Sequence, residues 1–159
     1  MSTEAEKLFK QLKWKLWLLG KFKIPLIGYT GVQLLELNHT TVKAKVKLKR
    51  RTKNHLNSMY FGALAIGADV AGGIHAFYFA QLHNKKVSFS FKGMNSEFIK
   101  RAESDCIFVS NDGKKVENAI LLSIKTQERV NETTHVEVFN MDKELVATFE
   151  LIVSVKCKD

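Results

Sequence analysis

The chain has 159 residues, 45% hydrophobic and 26% charged, with a formal net charge of +9. That length fits one domain with room for a sizeable core, and its two cysteines, Cys106 and Cys157, form neither a metal-type spacing nor a disulfide framework. A reducing, cytoplasmic setting and an anionic partner, whether phosphate, acidic lipid or nucleic acid, are the expectations that composition sets.

Residues 5–19 place Leu8, Leu12, Leu16 and Leu19 on one helical face with Phe9 beside them, and Gly20 is expected to end the helix. Lys7, Lys10, Lys13 and Lys15 interrupt the apolar residues and no small-residue cleavage site follows, so no secretory signal is read here. Two readings stand: an extra helix packed on the domain, or a basic amphipathic helix making a peripheral membrane contact with Trp14 and Trp17 at the interface. Residues 1–27 are accordingly read as an N-terminal helix and linker, and 28–159 as a single domain.

Pro25 and Gly28 mark a turn before an expected strand over 29–37, and Asn38 and His39 mark the next turn. Residues 41–49 alternate Val42, Ala44, Val46 and Leu48 with four lysines, giving one core face and one solvated face. The lysine row lacks the interleaved aromatics that stacking on a nucleic acid needs, so nucleic acid is not expected as a partner.

Residues 54–82 organise the rest. From Phe61 to Ile74 every side chain is apolar or absent except Asp69, so a helix here has no polar face and must be enclosed on nearly all sides. Its length would suit a bilayer, but Asp69, His75 and its glycines argue against a membrane span. Burying an unpaired carboxylate is costly, which makes Asp69 either a working acid or the partner of a neighbouring strand. Gly62, Ala65, Asp69, Gly72, Gly73 and Ala76 are expected along one small-residue side. Ser58, with Asn57 as competitor, is the expected N-cap, leaving the backbone N–H groups near Tyr60, Phe61 and Gly62 to favour developing negative charge about two turns from Asp69. His55 reads as a surface residue and His75 as a buried structural one.

Strands are expected over 86–91 and 97–101 with a bulge near Gly93, then over 105–110. A turn at Asn111, Asp112 and Gly113 precedes a short helix carrying Val116, Ile120, Leu121 and Ile124. Strands over 134–139 and 145–155 close the chain as a hairpin through Met141, Asp142 and Lys143. The compact solution is an α+β domain in which one curled antiparallel sheet of about six strands covers the long apolar helix.

This pattern resembles the hot-dog fold, and within it the PaaI-like (phenylacetyl-CoA type) thioesterases. That group carries an Asn, then six residues later His-Gly-Gly opening the central helix, then an Asp nine residues after that His. Asn54, Gly62 and Asp69 hold three of these positions, while Tyr60 stands for the His and Phe61 for the first Gly. The stretch around Asn54–Leu64 is similar to an uncharacterised branch of the superfamily described as thioesterases. The resemblance implies an acyl-CoA thioesterase assembled as a homodimer or homotetramer, with no cofactor and coenzyme A entering as the substrate's thioester. Asp69 would be general base or nucleophile, the N–H of Gly62 or its neighbour would hold the oxyanion, and Asn54 would orient the carbonyl or the water. Tyr60 and Phe61 would border the acyl pocket. Coenzyme A phosphates call for cations at its mouth, with Lys100 and Arg101, or Lys114 and Lys115, as candidates. The rival reading is a hot-dog protein that binds acyl-CoA or a fatty acid without turning it over. The arrangements of the superfamily's hydratases and dehydratases are not evident.

Overall fold

A computed structural model describes residues 3–159. In chain order these form α1 (Glu4–Leu18), a π-helical turn (Leu19–Lys23), α2 (Pro25–Thr30), β1 (Gln33–Leu37), β2 (Val42–Val46), α3 (Phe61–Leu82), β3 (Lys86–Phe98), β4 (Cys106–Ser110), α4 (Gly113–Thr126), β5 (Val130–Phe139) and β6 (Leu145–Lys158). The strands make one six-stranded sheet in the order β1-β2-β4-β5-β6-β3, antiparallel at every pairing.

The alternating strands do what period two requires. Val42, Ala44 and Val46 are fully buried, while Lys43 pairs with Glu36 at 2.9 Å and Lys45 with Asp105 at 3.1 Å on the outer face. Helix α3 lies under the inner face. Its most apolar window is 78% buried in the domain, so a helix long and apolar enough to cross a membrane is here enclosed by its own sheet. Two glycines bring its backbone close to the strands. A Cβ at Gly67 would run into the Phe108 ring, and one at Gly72 into Leu151, so large core side chains take the space that those positions vacate.

Several boundaries differ from the sequence expectation. Gly20 does not end the first helix, because the π-helical turn continues to Lys23 and the Gly20 backbone packs directly against that of Gly28. Pro25 opens α2 at its first position, and Gly31, at φ 74°, closes it, so β1 begins at Gln33 rather than at residue 29. The two strands expected either side of Gly93 are one strand, β3, with a register shift between Phe91 and Gly93. In α4 Leu121 is 42% exposed and Ala119 and Ser123 take the inner face. The Ser123 hydroxyl donates to the Glu128 carbonyl at 2.7 Å and accepts from the Cys157 N–H at 2.9 Å, tying α4 to β6.

Helix α1 starts on a capping box between Thr3 and Glu6. Leu8 and Leu12 are buried within the same apolar cluster as the residues of α3 and the sheet. Gln81 on α3 accepts from Lys15 at 2.8 Å and donates to Gln11 at 2.5 Å.

Candidate functional site at the start of the central helix

The loop before α3 is built by backbone and small polar groups. Buried Thr52 donates through its hydroxyl to the Lys47 carbonyl at 2.7 Å and accepts from the Lys49 N–H at 2.9 Å. The Asn54 carboxamide oxygen accepts from the Leu56 N–H at 2.9 Å and from the Ser58 N–H and hydroxyl, both at 3.2 Å. One side-chain oxygen thus holds a turn that carries Asn57 at φ 60°. That work occupies the Asn54 oxygen, while its NH₂ donates no hydrogen bond among the described residues. The sequence reading named Asn54 but missed Thr52, whose burial follows from long-range packing and has no periodic signature.

The helix is entered through Tyr60, which is the N-cap residue and makes no side-chain cap. Neither Ser58 nor Asn57 fills that role, because Ser58 is turned inward to Asn54 and Asn57 sits in the turn. The Tyr60 N–H donates to the Thr52 carbonyl at 2.8 Å, and the N–H groups of Ala63 and Leu64 return to the Tyr60 carbonyl. Among the described residues this leaves the N–H groups of Phe61 and Gly62 as donors with no protein acceptor, at the positive end of a 22-residue helix. The Tyr60 ring lies across Gly62, where any Cβ would strike it. The Tyr60 and Phe61 rings lie 4.6 Å apart between centroids, tilted at 51°, and Phe61 reaches Phe98 at 6.2 Å.

Asp69 stands two turns further along. It makes no hydrogen bond or ion pair among the described residues, and burial pushes its carboxyl from 3.8 up to about 6. The alternative role, an acid paired with a neighbouring strand, therefore has no partner among the described residues. Gly62, Ala65, Ile66 and Asp69 are half-buried while their helical neighbours are buried, so they form a strip that the chain's own sheet leaves open. The small-residue side expected from the sequence parts from this strip after Asp69. Gly72 faces the sheet and its carbonyl accepts from the Thr134 hydroxyl at 3.2 Å, Gly73 is covered by Phe89 and Phe91, and Ala76 is fully buried.

The two candidate cation pairs occupy different places. The Met59 N–H donates to the Ala102 carbonyl at 2.7 Å, so the segment with Lys100 and Arg101 runs beside the start of α3. Lys100 pairs with Glu144 at 2.6 Å; Arg101 is exposed and makes no ion pair among the described residues. Lys114 and Lys115 lie elsewhere, because the start of α4 bonds to Thr40 in the same turn whose Asn38 carbonyl meets His75 at 2.8 Å, more than three turns along α3. His75 is buried, and that burial pulls its pKa below the usual value; His55 is exposed. Both cysteines are buried thiols, Cys106 pushed up to about 12 by burial. No cluster of three metal-ligating side chains occurs among the described residues.

The family model of a domain of unknown function, DUF4442, matches residues 13–155. The chain belongs to the DUF4442 family. No curated protein matches this DUF4442 chain, whereas solved structures share its fold. A protein from Shewanella oneidensis described as a "putative thioesterase" superposes with a TM-score of 0.81 at 14% identity, over 92% of this chain and 99% of that one. A protein of unknown function from Chlorobaculum tepidum gives a TM-score of 0.80 at 13% identity, over 92% and 95%. A thioesterase from Haemophilus influenzae gives 0.67 at 12% identity, over 90% and 89%. At these identities the likeness establishes the fold, and this DUF4442 chain has the hot-dog fold that its motif resemblance implied.

Proposed function

We propose that the protein is an acyl-CoA thioesterase whose working acid is Asp69. The observation that carries this reading is an unpartnered, half-buried carboxyl with its pKa near 6 on the same helix, and the same open strip, as two unused N–H donors. With that pKa Asp69 is ionised near neutrality yet still basic enough to accept a proton from water. The water oxygen bonds to the thioester carbon, and the carbonyl electron pair moves onto oxygen, where the N–H groups of Phe61 and Gly62 receive it. As the carbon–sulfur bond breaks, the coenzyme A thiolate leaves and takes up the proton. A direct attack by Asp69 on the carbonyl, giving a mixed anhydride that water then hydrolyses, uses the same groups. Asn54 would contribute its NH₂, Tyr60 and Phe61 would border the acyl group, and Arg101, with Lys100 beside it, would meet a coenzyme A phosphate. No cofactor is needed.

A homodimer or homotetramer completes this reading. Among the described residues the outer edge of β3 has no strand beside it, and Phe61, Phe77, Met94 and Phe98 are between 41% and 59% exposed near it and along α3. A long unpaired edge with apolar neighbours is a pairing surface, and a second copy there would enclose the open strip around Asp69. The Tyr60 ring over Gly62 favours the second reading, a protein that binds acyl-CoA or a fatty acid without hydrolysis, because it crowds the approach to the donors.

Release of free thiol from short, medium, long and aromatic acyl-CoAs separates the two. Hydrolysis by wild type should fall by about 10²–10⁴-fold in Asp69→Asn, and the wild-type rate should rise with pH through about 6 as Asp69 ionises. Saturable binding without turnover, equal in wild type and variant, would establish the binding protein instead.

A further inference from the structure

We propose that the outer face of α1, together with the turn into α2, docks on the anionic surface of a lipid bilayer. The inner face of α1 is already committed to the core through Leu8 and Leu12, so its outer apolar residues are not waiting for the helix to pack. Trp14 is 59% exposed, Trp17 51%, Phe22 68%, Ile24 43% and Leu26 59%. Lys10, Trp14 and Trp17 follow one another at four and three residues and so share one side of α1, and Lys21, in the π-helical turn that continues it, lies over Trp17 on that side. The two indoles stack at 4.9 Å, and the Lys21 ammonium lies 4.8 Å from the Trp17 ring and 5.4 Å from that of Phe22. Past α2 the ridge meets further positive charge, where the Arg51 guanidinium sits 5.4 Å from the Tyr29 ring.

Charge decides the occupant. Between Lys7 and Leu35 the sequence has six lysines and no Asp or Glu. A second copy presenting this same face would set like charges against each other, which disfavours self-docking. A nucleic acid would engage the lysines and leave Phe22, Ile24 and Leu26 in water. A bilayer uses both, with indoles and aliphatic tips entering the headgroup boundary while lysines meet anionic lipids. This surface is separate from Asp69 and stands whether or not the protein hydrolyses thioesters.

Trp14 and Trp17 are the protein's only tryptophans, so tryptophan emission, excited where tyrosine does not absorb, reports on this face alone. Titrating the full chain with phosphatidylcholine vesicles containing phosphatidylglycerol should blue-shift the emission and make it quenchable by brominated lipid. Phosphatidylcholine alone should not, and salt should weaken the effect. Lys10→Glu with Lys21→Glu keeps both indoles and should weaken partitioning at least about tenfold, with thermal melting unchanged. The proposal is overturned by no shift on anionic vesicles, by an equal shift on neutral ones, or by a lipid-free shift that grows with protein concentration. Should the double variant melt early, depth-dependent quenching of the wild type by brominated lipids decides the matter alone.

Discussion

Helices α1 and α3 enter the same apolar cluster in opposite ways. α1 contributes two buried leucines from one stripe and turns its tryptophans and lysines to solvent, whereas α3 is buried on nearly all sides and is open mainly along a short strip near its start, with Phe77 and its last two residues the exceptions further along. A stripe-faced helix can serve two environments at once, with each face chosen independently. A helix without a solvated stripe cannot, so any polar group on it is costly unless it has a task. That difference is why the lysines of α1 read as surface chemistry and the lone carboxylate of α3 is the group proposed above as a working acid.

The comparison breaks most severely where α3 meets the sheet. Phe108→Ala removes the ring that lies against Gly67, a position with no side chain to refill the space, and should cost about 3–5 kcal/mol in urea unfolding. Loss of less than about 1 kcal/mol would mean that α3 is not seated as described. On α1, Leu12→Ala should cost about 2–5 kcal/mol, while Trp14→Ser should stay within about 0.5 kcal/mol of wild type. Equal effects at the two positions would erase the distinction between the faces.

The pH dependence of stability sharpens the contrast further. Folding raises the Asp69 carboxyl from 3.8 to about 6, so its neutral form is the one the fold favours. The stability associated with that proton is present below about pH 4 and is lost as pH rises through about 6, on the order of 3 kcal/mol before solvent screening at this half-buried position lowers it. Asp69→Asn should flatten this window and be more stable than wild type at alkaline pH. Its loss of activity and its gain of stability would then come from one group, the signature of a carboxylate held for function at a cost to folding. Parallel pH–stability curves for the two proteins would place the perturbed titration on another residue.

The sequence by itself determined most of the elements and singled out Asp69 as the one carboxylate on the enclosed helix. Period-two runs such as Val42–Val46 and the unbroken apolar run around Asp69 are local patterns that state which faces are dry, and from them follow one sheet, one enclosed helix and one unprovided-for carboxylate. The tertiary structure alone decided the rest, because those facts depend on residues far apart in the chain. Gly20 reads as a helix end until it is packed on Gly28, and Gly72 reads as part of an open side until Leu151 covers it. Ser58 reads as a cap until Asn54 claims it, and Tyr60 takes the helix start because its N–H meets Thr52. Which N–H donors remain free, which cations lie beside them and which face of α1 is left in water are consequences of long-range contact, and periodicity carries no record of them.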